Sequence, residues 1–307
     1  MVNFKPLDLE EYRVLINLDE PFKEHVPSTK NKIERLVLVD DLLIFLQSKT
    51  VENNKLKTYG EKRQMLYSLL TIRKPEPLPY WFHIKLDQLL QHEALERKII
   101  NSMTLLRINQ AYPETNYEAT KSCALWQGDI TTLRIDAIVN AANRNLLGCF
   151  RPFHKCIDNA IHSAAGPRVR EDCNAIMQKQ GCLEETGWTK ITRGYNLPSK
   201  YILHTVGPII KKDQAVTFEQ KQQLSKCYRS CLELALKVPK INSIAFCSIS
   251  TGVFSFPIDL AAEIALRTVN EWLSKHPESF KLIVFNVFSE QNFLIYQNIL
   301  KSWKNWD

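Results

Sequence analysis

A chain of 307 residues exceeds one ordinary compact domain and suits two, and 45% hydrophobic content is enough to bury a sizeable core. No apolar run approaches the ~20 residues that span a bilayer, and Lys5, Asp8, Glu10 and Glu11 break up any leader-like stretch near Met1. A membrane protein is excluded, and a soluble, cytoplasmic one is expected. Eight cysteines then read as reduced thiols, some buried and some metal-bound, rather than as a disulfide framework. The net charge of +7 is uneven: residues 1–118 hold 17 basic and 17 acidic side chains, whereas 119–307 hold 23 and 16. A basic half suits an anionic ligand such as a pyrophosphate. Its positive charges are scattered, with no Arg/Lys stripe interleaved with aromatics, so no specific nucleic-acid partner is expected.

The first part of the chain reads as helical. Only Gly60 of the nine glycines lies before residue 128. Apolar positions recur at a 3.6 period over 32–48, 61–72 and 84–108, the last carrying Leu86, Leu89, Leu90, Leu95, Ile99 and Ile100. Between the second and third, Pro75, Pro77 and Pro79 require a loop. No chemistry is visible in residues 1–118, which read as a helical extension that packs on the second part or mediates a protein contact.

From Ser122 onward strand and helix signals alternate. Apolar or β-branched runs stand at Ala137–Val139, Tyr201–Val206, Ile244–Ser248 and Leu282–Phe288. Helix-like segments lie at about 157–165, 219–237, 258–275 and 290–303. This alternation argues for an α/β/α sandwich over residues 119–307, with ligand loops at the carboxyl ends of the strands. Cys227 and Cys231 fall on one predicted helix as ordinary thiols, and His204, inside a strand, reads as a core histidine.

One loop stands apart. In Gly148-Cys149-Phe150-Arg151-Pro152-Phe153-His154-Lys155-Cys156, two cysteines and a histidine lie within eight positions just before a helix. Thiolate and imidazole are preferred zinc ligands, and three protein ligands leave one coordination position open, as catalytic zinc sites do. The spacing is also compatible with two buried thiols and an ordinary loop histidine.

Four further blocks surround this loop: Trp126-Gln127-Gly128-Asp129-Ile130-Thr131, Asn140-Ala141-Ala142-Asn143, His204-Thr205-Val206-Gly207-Pro208, and Ser250-Thr251-Gly252-Val253-Phe254-Ser255. In this order they resemble the macrodomain family, whose members bind ADP-ribose. The loop GCFRPFHKCIDNAIH looks like its zinc-dependent, sirtuin-linked branch of protein-ADP-ribose hydrolases. The resemblance implies a three-layer α/β/α fold with a mixed sheet, and one zinc ion per chain on Cys149, His154 and Cys156. It implies an adenine pocket at Asp129 and Ile130, distal-ribose contacts from Asn143, and a pyrophosphate cradle at Ser250, Thr251, Gly252, Val253 and Phe254, with Phe254 over the distal ribose.

Two departures from the family pattern bear on mechanism. MacroD-type hydrolases carry a glycine pair before the catalytic aspartate; here Lys155-Cys156-Ile157 precedes the matching Asp158, so a metal-pinned loop replaces a flexible one. Asp158 would act as a base or orient a metal-bound water, while His162, one turn on, reads as packing or support. Many relatives also carry glycine where Ser255 stands. Asn140 reads as structural, and Phe288 as an adenine contact or a core residue. The implied activity is removal of mono-ADP-ribose from a modified protein, through a carboxylate ester, with O-acetyl-ADP-ribose as a further substrate. The alternative is a module that reads ADP-ribose without turnover.

Overall fold

The computed structural model describes residues 6–22, 32–47, 58–211 and 213–304. A single-turn helix α1 (Leu9–Tyr12) is followed by α2 (Lys32–Gln47), α3 (Tyr59–Ile72) and α4 (Tyr80–Glu96). Helices α2 and α3 match the expected helices within two residues, though residue 48 lies outside the described residues, and α4 begins four residues earlier than expected, right after Pro79. A capping box begins α3: the Thr58 hydroxyl accepts the Glu61 N–H, and the Glu61 carboxylate accepts the Thr58 N–H.

The helix expected over 84–108 ends early, at Glu96. Arg97 turns to extended backbone, and the β-branched pair Ile99-Ile100 feeds a two-residue strand β1 (Ile100–Asn101). The Asn101 carboxamide then accepts the Met103 N–H, the kind of local bond with which asparagine competes against a helix. A short helix α5 (Ile108–Ala111) completes this stretch.

The second part runs β2 (Cys123–Gln127), β3 (Leu133–Arg134), β4 (Ala137–Ala142), α6 (Ile157–Ala165), α7 (Pro167–Gln180), β5 (Thr189–Arg193) and β6 (Tyr201–Val206). It continues with α8 (Phe218–Leu236), β7 (Ser243–Phe246), α9 (Ile258–Lys275), β8 (Leu282–Val287) and α10 (Glu290–Lys301). Six strands form one sheet in the order β2-β8-β7-β4-β6-β5, parallel except where β5 runs antiparallel to β6. The sheet is mixed, as expected. Every residue of β6, β7 and β8 is buried, so both faces are covered and the layers are three.

Two apolar cores result. Helices α2, α3 and α4 enclose one built on Leu42, Leu66, Phe82 and Leu86. The sheet's own core draws in Leu9, Tyr12, Ile16 and Leu18 from the N-terminal segment. There the Tyr12 hydroxyl accepts the N–H of Ile191 on edge strand β5 at 3.1 Å. Polar side chains join the two cores. Asp87 of α4 accepts from Arg168 and Asn196, and Gln91 donates to Asn196. Arg170 of α7 donates through Nη1 to the carbonyls of Leu70, Thr71 and Arg73, and through Nε to that of Leu147. Among the described residues no helix is long and apolar enough to cross a membrane.

Candidate active site

Strands β2, β8, β7 and β4 are parallel neighbours, so their carboxyl ends open on one edge and their following loops share a crevice. At ~4.8 Å per strand, the loops after β2 and β4 stand roughly 14 Å apart, with those after β8 and β7 between. They line a cleft of about 850 Å³.

At one end, Asp129 caps the turn Ile130–Thr132. Its Oδ1 accepts from the Thr131 N–H (2.9 Å) and hydroxyl (2.7 Å), while Oδ2 has no protein donor among the described residues. The capping and ligand-binding readings are therefore compatible: one oxygen orients the carboxylate and the other faces the cleft. Ile130 buries its side chain beneath this turn and Asn286 of β8 donates to the Gly128 carbonyl at 2.9 Å, fixing it from below. Phe288 is 79% exposed on the cleft wall and is not a core residue.

The middle loop follows β7. Thr251 is tied back to the Ser248 carbonyl through its N–H and hydroxyl, Ser255 N–H bonds Gly252, and Phe256 N–H bonds Ser250. The N–H groups of Gly252, Val253 and Phe254 have no backbone acceptor among the described residues, an arrangement suited to anion binding. Ser250 (φ 64°) and Ser255 (φ 56°) both adopt the left-handed region that glycine favours. Ser255 thus takes a backbone form that glycine adopts freely, at a cost of about 1 kcal/mol.

The far end holds the acid and the Cys/His loop. Asp158, in the first turn of α6 and 6% exposed, accepts from Asn140 Nδ2 at 2.8 Å and from Asn143 Nδ2 at 3.4 Å. Burial raises its carboxyl to about 6, against the opposing Asn140 bond and the charge of Arg170. Asn143 also donates to the Gly148 carbonyl at 3.1 Å. Asn140 is structural as expected, and its role is to hold the acid. His162 lies 3.5 Å from Asp158 without a hydrogen bond, and burial keeps it neutral. Its ring fills the space beneath Gly148 (φ 79°), where a Cβ would come within 2.9 Å of it. His204 is fully buried, with Nε2 2.9 Å from the Thr192 hydroxyl, and Cys227 and Cys231 are core thiols.

The Cys149, His154 and Cys156 ligand atoms lie within 4.8 Å of one another, and Cys149 Sγ is 3.5 Å from His154 Nδ1. A tetrahedral zinc with Zn–S ~2.3 Å and Zn–N ~2.1 Å would set that separation at ~3.6 Å. Burial, and then neighbouring Cys149, push the Cys156 thiol up to about 11 despite the Asn159 N–H on its sulfur. A dication between the sulfurs reverses that penalty, so the donor set fits zinc. Asn159 holds the loop through the carbonyls of Arg151 (3.1 Å) and His154 (3.2 Å).

One lining residue comes from the extension, where the sequence showed no chemistry. Tyr67 of α3 stacks on Phe153 of the Cys/His loop, with ring centres 5.1 Å apart and planes 24° apart. Nothing in the local pattern around Tyr67 separates it from other helix-face aromatics; only the docking of α3 brings it here.

The Macro domain model matches residues 139–265. A protein-ADP-ribose hydrolase of Treponema medium is 45% identical over 240 residues, which are 78% of this chain and 88% of that protein. The chain belongs to the macrodomain family. Within it the chain is a hydrolase, like the curated relatives that it resembles. The protein-ADP-ribose hydrolase of Staphylococcus aureus strain MRSA252 is 56% identical over 173 residues, covering 56% of this macrodomain chain and 64% of that relative. Among solved structures, the Trypanosoma brucei macrodomain in complex with ADP-ribose superposes with a TM-score of 0.56 at 29% identity, over 75% of this chain and 94% of that one. The Oceanobacillus iheyensis macrodomain with ADP gives a TM-score of 0.53 at 40% identity, over 60% and 93%.

Proposed function

We propose that this macrodomain hydrolyses mono-ADP-ribose from modified proteins, and that the reaction is zinc-dependent. The observation that carries the reading is the convergence at one end of the cleft of a buried, doubly held Asp158 with the Cys149–His154–Cys156 cluster. In this reading ADP-ribose lies along the strand ends. Asp129 Oδ2 accepts the adenine amino group, the backbone near Ile130 completes that pocket, and Phe288 covers the base. The Ser250–Phe254 loop cradles the pyrophosphate and Phe254 shields the distal ribose. Asn143, whose amide hydrogens serve Gly148 and Asp158, accepts a hydroxyl of that ribose on its carboxamide oxygen and so fixes the scissile bond.

A zinc ion on Cys149, His154 and Cys156, one per chain, would supply Lewis-acid polarisation at its open position. Asp158 takes up or orients the proton of the attacking group, a role suited to a carboxyl that burial has made more basic. The acceptor is then a carboxylate ester, because a carboxylate leaves without a proton from the enzyme and, among the described residues, no second carboxyl stands next to Asp158. O-acetyl-ADP-ribose, likewise a carboxylic ester of the distal ribose, is proposed as a further substrate. The eight free thiols support a reducing, cytoplasmic setting, and no specific nucleic-acid partner is proposed.

Release of ADP-ribose from a mono-ADP-ribosylated protein, with and without chelator, tests this. Chelator-sensitive release alongside about one zinc per chain is the expected outcome. Tight binding of ADP-ribose with no release would make the protein a reader, and zinc-free protein of full activity would remove the metal from the reaction.

A further inference from the structure

The helical extension reaches the scissile end of the cleft. Helix α3 packs against α6, and Tyr67 lines the cleft beside Phe153, His154 and Cys156. This is the loop side, roughly 14 Å along the sheet from Asp129. Phe153 is 57% exposed and stands at φ 60°, a strained setting that turns its ring outward toward α3. Arg170 holds the arrangement: one guanidinium bonds the last-turn carbonyls of α3 and the Leu147 carbonyl two residues before Cys149, and packs 4.4 Å over Phe150. Helix α3, which carries Tyr67, is therefore tied to the chain leading into the Cys/His loop, which carries Phe153.

In the reading proposed above, a nucleotide along the strand ends finishes at its distal ribose, beside Asn143 and Asp158. Whatever is joined to that ribose must continue past the Cys/His loop, where the Tyr67–Phe153 pair forms part of the cleft wall with Lys155 and Ile157. We propose that this pair is a specificity element that contacts the protein side of the scissile bond, the acceptor side chain and its flanking backbone, rather than ADP-ribose itself. The proposal rests on the hydrolase reading above. Two ring faces give apolar area with little rotamer freedom to lose, a property that suits varied peptide backbone more than one defined side chain. On this view the extension is the part of the enzyme that distinguishes a modified protein from free ADP-ribose.

The test compares the full chain with Tyr67→Ala and Tyr67→Phe. Three quantities are read: kcat and KM on a mono-ADP-ribosylated protein, Kd for free ADP-ribose by calorimetry, and zinc per chain. Tyr67→Ala should lower kcat/KM about tenfold, mainly through KM, while Kd for ADP-ribose moves less than about twofold and zinc is retained. Tyr67→Phe should restore most of the loss. The proposal is overturned if Kd weakens in step with KM, if zinc is lost and kcat falls alone, or if kcat/KM does not change. If the parent protein binds but never releases ADP-ribose, the hydrolase reading fails; the wall is then tested by the ratio of Kd for the modified protein to Kd for free ADP-ribose, which Tyr67→Ala should raise about tenfold.

Discussion

Replacing Arg170 with methionine keeps a similar apolar stem and removes every donor. The guanidinium serves four carbonyls, of Leu147 at 2.7 Å, Leu70 and Thr71 at 3.0 Å, and Arg73 at 2.7 Å. Three of these share one nitrogen that has two hydrogens, so they count as about two full bonds, three with Nε. At ~1.5–3 kcal/mol per charge-assisted bond the gross loss is roughly 4–9 kcal/mol. Against this stands the cost of burying a guanidinium, which burial has driven below its ordinary pKa and which methionine does not incur. The net destabilisation expected is ~3–5 kcal/mol, the range for removing one partner from a buried charged network. For a domain of this size that is a fall of about 6–20 °C in Tm. Thermal denaturation of Arg170→Met and Arg170→Lys, with limited proteolysis across residues 73–79, measures it. Lysine cannot bridge both sides with one ammonium and should fall between. A methionine variant melting within about 2 °C of the parent would refute the idea that this side chain fastens α3 to the catalytic loop.

Three further outcomes are expected. Asp129→Ala should weaken ADP-ribose binding by about 1–3 kcal/mol in calorimetry with a smaller effect on kcat, and Asp129→Asn, which retains the cap on Thr131, should melt like the parent. Under the zinc reading, His154→Ala should depress single-turnover release far more than affinity for ADP-ribose, and His154→Ala with Asp158→Ala should be barely worse than the worse single variant; multiplicative losses would separate Asp158 from the metal. Burial lowers the pKa of His204 to about 3, so the unfolded chain takes up a proton near pH 6.5 that the folded chain refuses until far lower. The stability advantage of the parent over His204→Gln should therefore shrink by ~1.4 kcal/mol per pH unit below about 6.5 in urea titrations, and a constant difference would show that the histidine protonates in place.

Strongly periodic segments were legible: α6 and α9 fall on the residues expected, because helix period and apolar burial agree there. Strand β5, Thr-Lys-Ile-Thr-Arg, left no apolar signature, since its Lys190 is buried against Glu184 rather than exposed. Helix α7, Pro-Arg-Val-Arg-Glu-Asp, sends only Val169, Cys173 and Ile176 into the sheet's core, while Arg168 and Arg170 reach across to the helical extension, so its apolar stripe was too narrow to read. At the site, the loops were readable because their chemistry sits on contiguous residues. Asn140, Asn286 and Tyr67 were not read as site residues: each acts through a partner distant in sequence, and a polar residue in a strand or a tyrosine on a helix face has no local mark of such a role.

The bond from Ile191 to the Tyr12 hydroxyl joins residues 179 apart. Tyr12 and its apolar companions Leu9, Ile16 and Leu18 are synthesised well before β5, so the interior they fill does not exist until that strand is made. Until then four side chains destined for the interior stand in water, available to chaperones or to other nascent chains. Once in place the same segment lies against edge strand β5, where the Tyr12 hydroxyl takes up an N–H that could otherwise pair with a foreign strand. This segment is thus a late-closing seam: residues made before the sheet complete it, and losing them would uncover edge strand β5 in a protein that is otherwise built.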